Sequence, residues 1–158
     1  NGKVTTILNG GNTKVGIEST VIDISNKNTK ILRYGGISEE SINKLIKIHK
    51  KEINITLKSP GLSNSHYKPD KPIRINAIRP REGEAWLAFG KKPSYFKGIS
   101  LTLSEKKCLD ESAKNLYKML RLLDKKNVKS VAIQKIPEKG IGLAINDRLR
   151  RAAFIRDK

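Results

Sequence analysis

The 158-residue chain is poor in cysteine, aromatic side chains and long apolar runs. Its single cysteine, Cys108, excludes an internal disulfide and a cysteine-rich metal cluster, and it fits a reducing compartment. Aromatic residues make up 5% of the chain, too few to stack on successive bases as a single-strand nucleic-acid binder requires. No apolar run approaches the roughly 20 residues of a membrane helix, and no signal peptide is visible. We therefore expect a soluble, cytoplasmic protein without membrane contact.

A translation start is also missing. The first residue is Asn1 and the only methionine is Met119, so we expect the sequence to be a piece of a longer protein. With 37% hydrophobic residues, the chain can bury one ordinary core, or part of one core together with a small domain.

Positive charge, in contrast, is abundant. The chain has 33 Lys and Arg residues against 15 Asp and Glu, which gives a formal net charge of +18. Such a balance can indicate a polyanionic partner. The lysines are spread over nearly every segment, however, which indicates a general compositional bias rather than a binding stripe. We expect non-specific attraction of nucleotides or RNA, and no dedicated reader of nucleic-acid sequence.

The stretch 59–69, S-P-G-L-S-N-S-H-Y-K-P, fits neither a helix nor a strand. Its Pro-Gly pair favours a turn, and the prolines that follow prevent a helix or a central strand immediately downstream. The segment nevertheless carries three serines, His66, Tyr67 and Lys68, whose side chains can hold phosphate or ribose oxygens. A polar linker that binds nothing is the alternative interpretation of the same composition.

Short apolar runs near the start of the chain predict strands. Residues 4–8 favour one strand, and residues 19–33 predict a hairpin around a turn at 26–28. Ser19 precedes the first strand of this hairpin and Arg33 ends the second. Taken singly, Ser19 is explained as a turn serine and Arg33 as a solvated strand end. A guanidinium at that strand end can also form two parallel hydrogen bonds to a phosphate.

Further along, strands and helices alternate. Ser38 is a good N-cap for a short helix to about His49. Apolar patterns predict strands at 73–78, 84–90, 99–103 and 130–133, a helix from Asp110 or Ser112 to about Lys126 in which Tyr117 and Met119 pack, and a last helix from Asn146 or Asp147. This order predicts an open α/β sheet with Rossmann-like layering.

The run 140–149, G-I-G-L-A-I-N-D-R-L, has the glycine spacing with which a dinucleotide-binding motif begins. We reject that interpretation, because Ile145 replaces the third glycine and the preceding residues predict a loop rather than a strand. No acidic residue follows at the distance of about 20 positions that the motif requires. The two glycines are explained as a tight turn before the last helix.

Several motifs occur together in a recognisable order. The first half has a Gly-Gly turn, the run 16–21 (G-I-E-S-T-V), the strand end 31–33 (I-L-R) followed by glycines, and the linker 59–69; the second half has the runs 115–124 and 140–153. Together they resemble the long, two-domain form of the YrdC family of threonylcarbamoyl-AMP synthases over essentially the whole chain. The early Lys-x-Arg and Ser-x-Asn nucleotide motifs of that family are not in this sequence.

The resemblance implies an α/β protein in three parts. Residues 1–36 would be the C-terminal tail of the YrdC-like catalytic domain, 37–72 a helix and active-site linker, and 73–158 an accessory, Rossmann-like α/β domain. It implies a nucleotidyltransferase that makes threonylcarbamoyl-AMP and pyrophosphate from L-threonine, bicarbonate and ATP, for threonylcarbamoyl modification of an adenosine in tRNA.

Site residues follow from the same resemblance by motif position. Ser19 would contact L-threonine, Arg33 the ATP phosphates, and Tyr67 the nucleotide as the linker folds over the site. Magnesium would arrive with ATP, because the sequence shows no metal-binding cluster. No side chain is assigned as catalytic, because the reaction mainly requires positioning of the reactants and screening of charge.

The resemblance also bears on partners. The product would pass to downstream tRNA-modification machinery, and a separately encoded N-terminal half is a further candidate partner. Without the upstream nucleotide motifs, the isolated chain is expected to be inactive. A non-catalytic basic module that binds tRNA is the alternative function, and a poorly folding gene product is a third possibility.

Overall fold

The structure is a computed structural model that describes residues 2–11, 13–49 and 69–153. These residues form two sheets and three helices. The strands are β1 (Val21–Asp23), β2 (Lys30–Arg33), β3 (Ile73–Ala77), β4 (Glu84–Ala88), β5 (Ser100–Thr102) and β6 (Ser130–Gln134), and the helices are α1 (Glu39–Asn43), α2 (Leu109–Asp124) and α3 (Gly142–Ala153). The elements confirm the mixed α/β class that the sequence predicts.

The first sheet is the antiparallel hairpin expected between residues 19 and 33. Val21 pairs with Arg33, and the β-branched side chains of the first strand favour this conformation. β1 ends at Asp23, whose Oδ1 accepts hydrogen bonds from the backbone nitrogen and hydroxyl of Ser25 at 2.9 and 2.6 Å. Such an Asp side chain starts a turn, which makes the strand shorter than its apolar run.

Residues 4–8 are not a strand, so this prediction is wrong. No strand of the described residues lies beside them, and their backbone groups have no ladder to join. Ile7 and Leu8 are 77% and 91% exposed. Apolar residues form a strand only where a neighbouring strand and a core are available.

The helix α1 begins as expected but is shorter than predicted. The Ser38 hydroxyl accepts a hydrogen bond from the backbone nitrogen of Ser41 at 3.2 Å, as an N-cap does. The helix ends at Asn43 rather than near His49, because the Asn43 side chain accepts from the backbone nitrogen of Ile48 at 2.8 Å. His49 lies outside the helix, and its backbone nitrogen bonds to Thr29 instead.

The second sheet is parallel throughout, with strand order β3-β6-β4-β5. Parallel strands need long crossover connections, and α2 lies in the connection from β5 to β6, which are separated in the sheet by β4. β6 and β4 are the inner strands, which explains why residues 85–88 and 131–133 are buried without interruption. This arrangement confirms the Rossmann-like open α/β sheet.

The helices α2 and α3 pack on the same face of this sheet. The core between them contains Ala85, Leu87, Val131 and Ile133 from the sheet and Ala113, Leu116, Leu120, Leu123, Ala144, Ile145 and Leu149 from the helices. On α2 these members recur at intervals of three and four residues, and on α3 Ile145 and Leu149 are four residues apart, so they share one side of each helix. On the opposite sheet face, Trp86 is buried against Ala88, Ala132 and Phe96.

Both helices begin earlier than expected, α2 at Leu109 and α3 at Gly142. For α3 the reason is a close approach to the loop before it. A Cβ atom on Gly142 would lie 2.1 Å from the carbonyl oxygen of Pro137, so glycine at this position allows the helix to start against the loop. Within the described residues, no helix is long and apolar enough to cross a bilayer.

Candidate functional site

The segment 18–20 is held by the glycines that follow β2. A Cβ atom on Gly35 would lie 2.2 Å from the carbonyl carbon of Ser19 and 2.4 Å from the carbonyl oxygen of Glu18, so a larger residue would displace the segment. The backbone nitrogen of Gly36 donates to the Glu18 carbonyl at 3.0 Å. The Gly-Gly pair therefore determines where the side chain of Ser19 lies.

Ser19 and Arg33 are in direct contact. Arg33 Nε donates to the Ser19 carbonyl oxygen at 3.1 Å, and Arg33 Nη2 donates to Ser19 Oγ at 3.3 Å. Ser19 is exposed and Arg33 half-buried. A hydroxyl beside a guanidinium is a suitable pair for an anionic group such as a carboxylate or a phosphate. Two of the three predicted site residues are thus brought together.

The third predicted site residue, Tyr67, lies outside the described residues, together with the linker up to residue 68. Its place near the other two stays a prediction. Where the described chain resumes, the backbone nitrogen of Lys71 donates to Asp124 Oδ1 at 2.9 Å. The end of the linker is therefore anchored at the last residue of α2.

Glu18 contacts both helices that pack on the second sheet, α2 and α3. Tyr117 on α2 donates its hydroxyl to Glu18 Oε1 and Oε2 at 3.1 and 3.2 Å. Arg148 on α3 donates from Nε to Glu18 Oε2 at 2.8 Å. These contacts join residues 99 and 130 positions apart. The first part of the chain is thereby docked on the helical face of the second.

The pKa directions indicate which groups of this contact are charged. Burial by itself would raise the pKa of Glu18, but hydrogen bonds from Arg148 and Tyr117 and the Arg148 charge hold it below its usual value. Burial, with the nearby Glu18 charge, raises the pKa of Tyr117. At neutral pH the contact therefore consists of a carboxylate, a guanidinium and a neutral phenol.

The guanidinium of Arg148 has a second acidic partner. Its Nη1 donates to Asp147 Oδ2 at 2.6 Å, while Arg151 also binds the Asp147 carboxylate through Nε and Nη2, both at 3.1 Å. The Arg148 side chain is 7% exposed, and its Nη2 atom has no acceptor among the described residues. A charge this deeply buried depends on its partners.

A second carboxylate connects the two parts near the start of α3. Glu40 Oε1 accepts from the backbone nitrogen of Gly140 at 3.1 Å. Hydrogen bonds from its own backbone and from Gly140 lower the pKa of Glu40. In a dinucleotide motif such a nitrogen would face a phosphate, whereas here it faces a carboxylate. The geometry agrees with the rejection of a dinucleotide site in this run.

The contact of Glu18 with the helices α2 and α3 was not predicted from the sequence. Tyr117 was predicted to pack only, and Glu18 and Arg148 received no role. One signal was present: position 148 follows Ala144 and Ile145 at intervals of four and three, on the buried side of the last helix. An arginine at an apolar position of a helix indicates a buried partner.

A basic cleft of about 800 Å³ lies between residues 13–18 and α2. Lys114, Lys118 and Arg121 line it from one side of the helix, and Lys14 lines it from the opposite wall. None of the four pairs with an acidic side chain in the described part of the chain. The cleft can attract anions, although its cations are exposed to solvent.

Comparison with known proteins identifies the family. The family described as "Threonylcarbamoyl-AMP synthase, C-terminal domain" matches residues 37–154. This chain belongs to that family. A Pyrococcus abyssi protein named threonylcarbamoyl-AMP synthase is 34% identical over 98% of this chain and 51% of its own length. Bacillus subtilis has a relative of the same name that is 31% identical over 96% of this chain and 49% of its own length.

Solved structures agree. The crystal structure of P. abyssi Sua5 complexed with L-threonine matches 96% of this chain and 50% of that protein, with a TM-score of 0.77 and 32% identity. A variant of the same protein with a His and a Tyr replaced by Ala matches with a TM-score of 0.62 and 26% identity, over 91% of this chain and 45% of that one. The chain spans about half the length of the relatives it matches. The resemblance seen in the sequence is confirmed.

Proposed function

We propose that this chain is the C-terminal portion of a threonylcarbamoyl-AMP synthase. The whole enzyme is a nucleotidyltransferase that converts L-threonine, bicarbonate and ATP to threonylcarbamoyl-AMP and pyrophosphate, and its product serves threonylcarbamoyl modification of tRNA. The observation that carries the proposal is the contact between Ser19 and Arg33, a hydroxyl beside a guanidinium. Membership of residues 37–154 in the synthase family supports it.

The two residues have complementary roles. The Ser19 hydroxyl binds L-threonine, for which hydrogen bonds to the carboxylate or the ammonium group are available. Arg33 neutralises charge on the ATP phosphates as pyrophosphate leaves. The hydrogen bonds between Arg33 and Ser19 support these roles, because they would bring both reactants to one point, and such positioning is the main contribution that this reaction asks of the protein.

Tyr67 contacts the nucleotide when the linker covers the site. A proline-containing cover excludes water that would hydrolyse a labile carbamate intermediate. A variant of the P. abyssi relative was made by replacing a His and a Tyr with Ala. His66 and Tyr67 are the only adjacent His-Tyr pair in this chain. The choice of such a pair for substitution in the relative supports a role for Tyr67.

The proposal includes a division of the chain. Residues 1–36 form the tail of the catalytic domain, 37–72 a helix and the linker, and 73–158 the accessory domain. The family match that begins at residue 37 supports the first boundary. The remaining nucleotide motifs belong to an upstream portion, in the same polypeptide or in a separate one. The enzyme works in the cytoplasm and passes its product to the tRNA-modification machinery.

Magnesium would reach the site with ATP, held by the ATP phosphates. Among the described residues, no group of three His, Cys, Asp or Glu side chains is placed to hold a metal ion. The ion would supply charge neutralisation at the phosphates. Arg33 contributes to the same task from the protein side.

The test is pyrophosphate release that depends on threonine, bicarbonate and ATP. We expect activity when the chain is joined to the upstream part of its reading frame, and none from the chain alone. In the joined form, Arg33→Ala should reduce kcat/KM by roughly 100-fold or more, as loss of a transition-state donor does. Ser19→Ala removes one hydrogen bond and should raise the KM for threonine about tenfold.

Two observations would contradict the proposal. One is a joined protein that is folded but releases no pyrophosphate. The other is an active joined protein in which Arg33→Ala and Tyr67→Ala both keep wild-type kinetics. Lys27→Ala serves as a matched control, because it removes a cation from the exposed turn of the same hairpin.

A second candidate function is non-catalytic tRNA binding. The basic cleft between residues 13–18 and α2 favours it, because Lys14, Lys114, Lys118 and Arg121 offer four cations to a phosphate backbone. The salt dependence of the affinity for tRNA distinguishes the two functions. A tRNA-binding module loses affinity steeply between low and physiological salt, whereas a substrate-site fragment binds tRNA weakly at every salt concentration.

A further inference from the structure

Glu18 and Ser19 are consecutive residues with different partners. The Ser19 hydroxyl meets Arg33 on the hairpin, whereas the Glu18 carboxylate meets Tyr117 and Arg148 on the accessory helices. The two side chains reach partners on different elements, so one dipeptide serves both contacts. A displacement of Glu18 would therefore move Ser19 as well.

The segment has little freedom to absorb such a displacement. Gly35 packs against the Ser19 backbone with no space for a side chain, and Gly36 bonds to the Glu18 carbonyl. On the other side, Arg148 is buried and oriented by two carboxylates, Glu18 and Asp147. The hydroxyl of Ser19 is thus linked to α3 through short, directional contacts.

We propose that Glu18 is a positioning residue for the threonine subsite, and that its ion pair with Arg148 lets the accessory domain set the place of Ser19. The proposal rests on the proposed function, because it takes Ser19 as the threonine contact. It gives the accessory domain a role in substrate binding. Glu18 itself touches no substrate.

The alternative is that the ion pair only stabilises the fold. A purely structural role would lower the thermal midpoint and the amount of active protein without changing the affinity for one substrate. A positioning role changes the KM for threonine more than the KM for ATP, because Ser19 moves with Glu18, whereas Arg33 is held in β2 by its pairing with Val21 and the upstream nucleotide motifs are unchanged. The ratio of the two KM values therefore distinguishes the roles.

The experiment uses the active joined protein and the variant Glu18→Gln, which keeps the shape of the side chain and removes its charge. We expect the KM for threonine to rise about tenfold, equivalent to one lost hydrogen bond, with the KM for ATP within about twofold of wild type. Arg148→Gln should have the same effect. The matched control is Glu138→Gln, which breaks the exposed Glu138–Arg150 pair at 2.5 Å and should leave both KM values unchanged.

The double variant Glu18→Gln/Arg148→Gln tests the pairing. Asp147 keeps Arg151 as a partner, so this variant leaves no buried charge alone. If the two residues act through each other, the KM for threonine in the double variant is similar to that in the single variants rather than the product of their effects. Effects that multiply in the double variant would overturn the pairing.

Tyr117→Phe covers the case in which the charge variants do not fold. It removes the hydroxyl that donates to Glu18 and keeps the packed ring. We expect a rise in the KM for threonine of roughly two- to fivefold. An unchanged KM in Tyr117→Phe and in every folded charge variant would overturn the inference. A wild-type joined protein that releases no pyrophosphate would instead refute the proposed function.

Discussion

Glu84, the first residue of β4, ties three strands of the parallel sheet together. Its carboxylate accepts hydrogen bonds from Arg74 on β3 at 3.0 and 2.5 Å and from the hydroxyl of Ser130 on β6 at 3.2 Å. The backbone nitrogen of Arg81 donates a further bond at 2.7 Å. The Glu84 side chain is 7% exposed. Replacing Glu84 by Gln should therefore weaken the sheet in a way that depends on pH.

The magnitude follows from the titration of this carboxyl group. The hydrogen bonds from Arg74, opposed in part by burial, lower the pKa of Glu84 from 4.5 to about 2. A difference of this size between unfolded and folded chain corresponds to about 3 kcal/mol of stability at neutral pH. Because the folded-state pKa is the lower one, the stabilisation is complete above pH 4.5 and is lost as the pH falls towards 2.

The assay is urea unfolding followed by the fluorescence of Trp86, the only tryptophan, which is buried on the same strand. Glu84→Gln should lower the free energy of unfolding by about 3 kcal/mol at pH 7 and by roughly half as much at pH 3. Glu138→Gln, in an exposed ion pair, should change it by less than about 0.5 kcal/mol at both values. A loss from Glu84→Gln that is equal at the two pH values would refute the reasoning.

Three further substitutions test the packing. Leu116→Ala in the core of α2 should cost about 2–5 kcal/mol in urea unfolding, whereas Leu122→Ala, at a 41% exposed position of the same helix, should cost less than about 1 kcal/mol. Equal losses would contradict the assigned faces of α2. Gly35→Ala places a methyl group 2.2 Å from the Ser19 backbone. It should abolish most threonine-dependent pyrophosphate release by the joined protein, and wild-type release would show that the approach is not required.

The sequence was sufficient to predict the elements whose own apolar pattern determines that they are buried. β4 and α2 were predicted within a few residues, because a continuous apolar run or a repeat at helical spacing is buried wherever a core exists. It was insufficient where an element depends on something outside itself. Residues 4–8 have no neighbouring strand, α1 is stopped by the Asn43 side chain, and α3 starts early through the approach of Gly142 to a loop.

The predictions about the candidate site divide in the same way, into those that the sequence supplied and those that needed the tertiary structure. Motif resemblance alone selected Ser19, Arg33 and Tyr67 as site residues. Only the tertiary structure decided that Ser19 touches Arg33, and that Glu18 meets Arg148 across 130 positions of sequence. The physical reason is that charged side chains do not recur at a regular spacing in the sequence, as the apolar residues of a helix or strand do. A helical pattern can indicate that a charged residue such as Arg148 is buried, but its partner depends on which distant segments meet, and local sequence patterns do not carry that information.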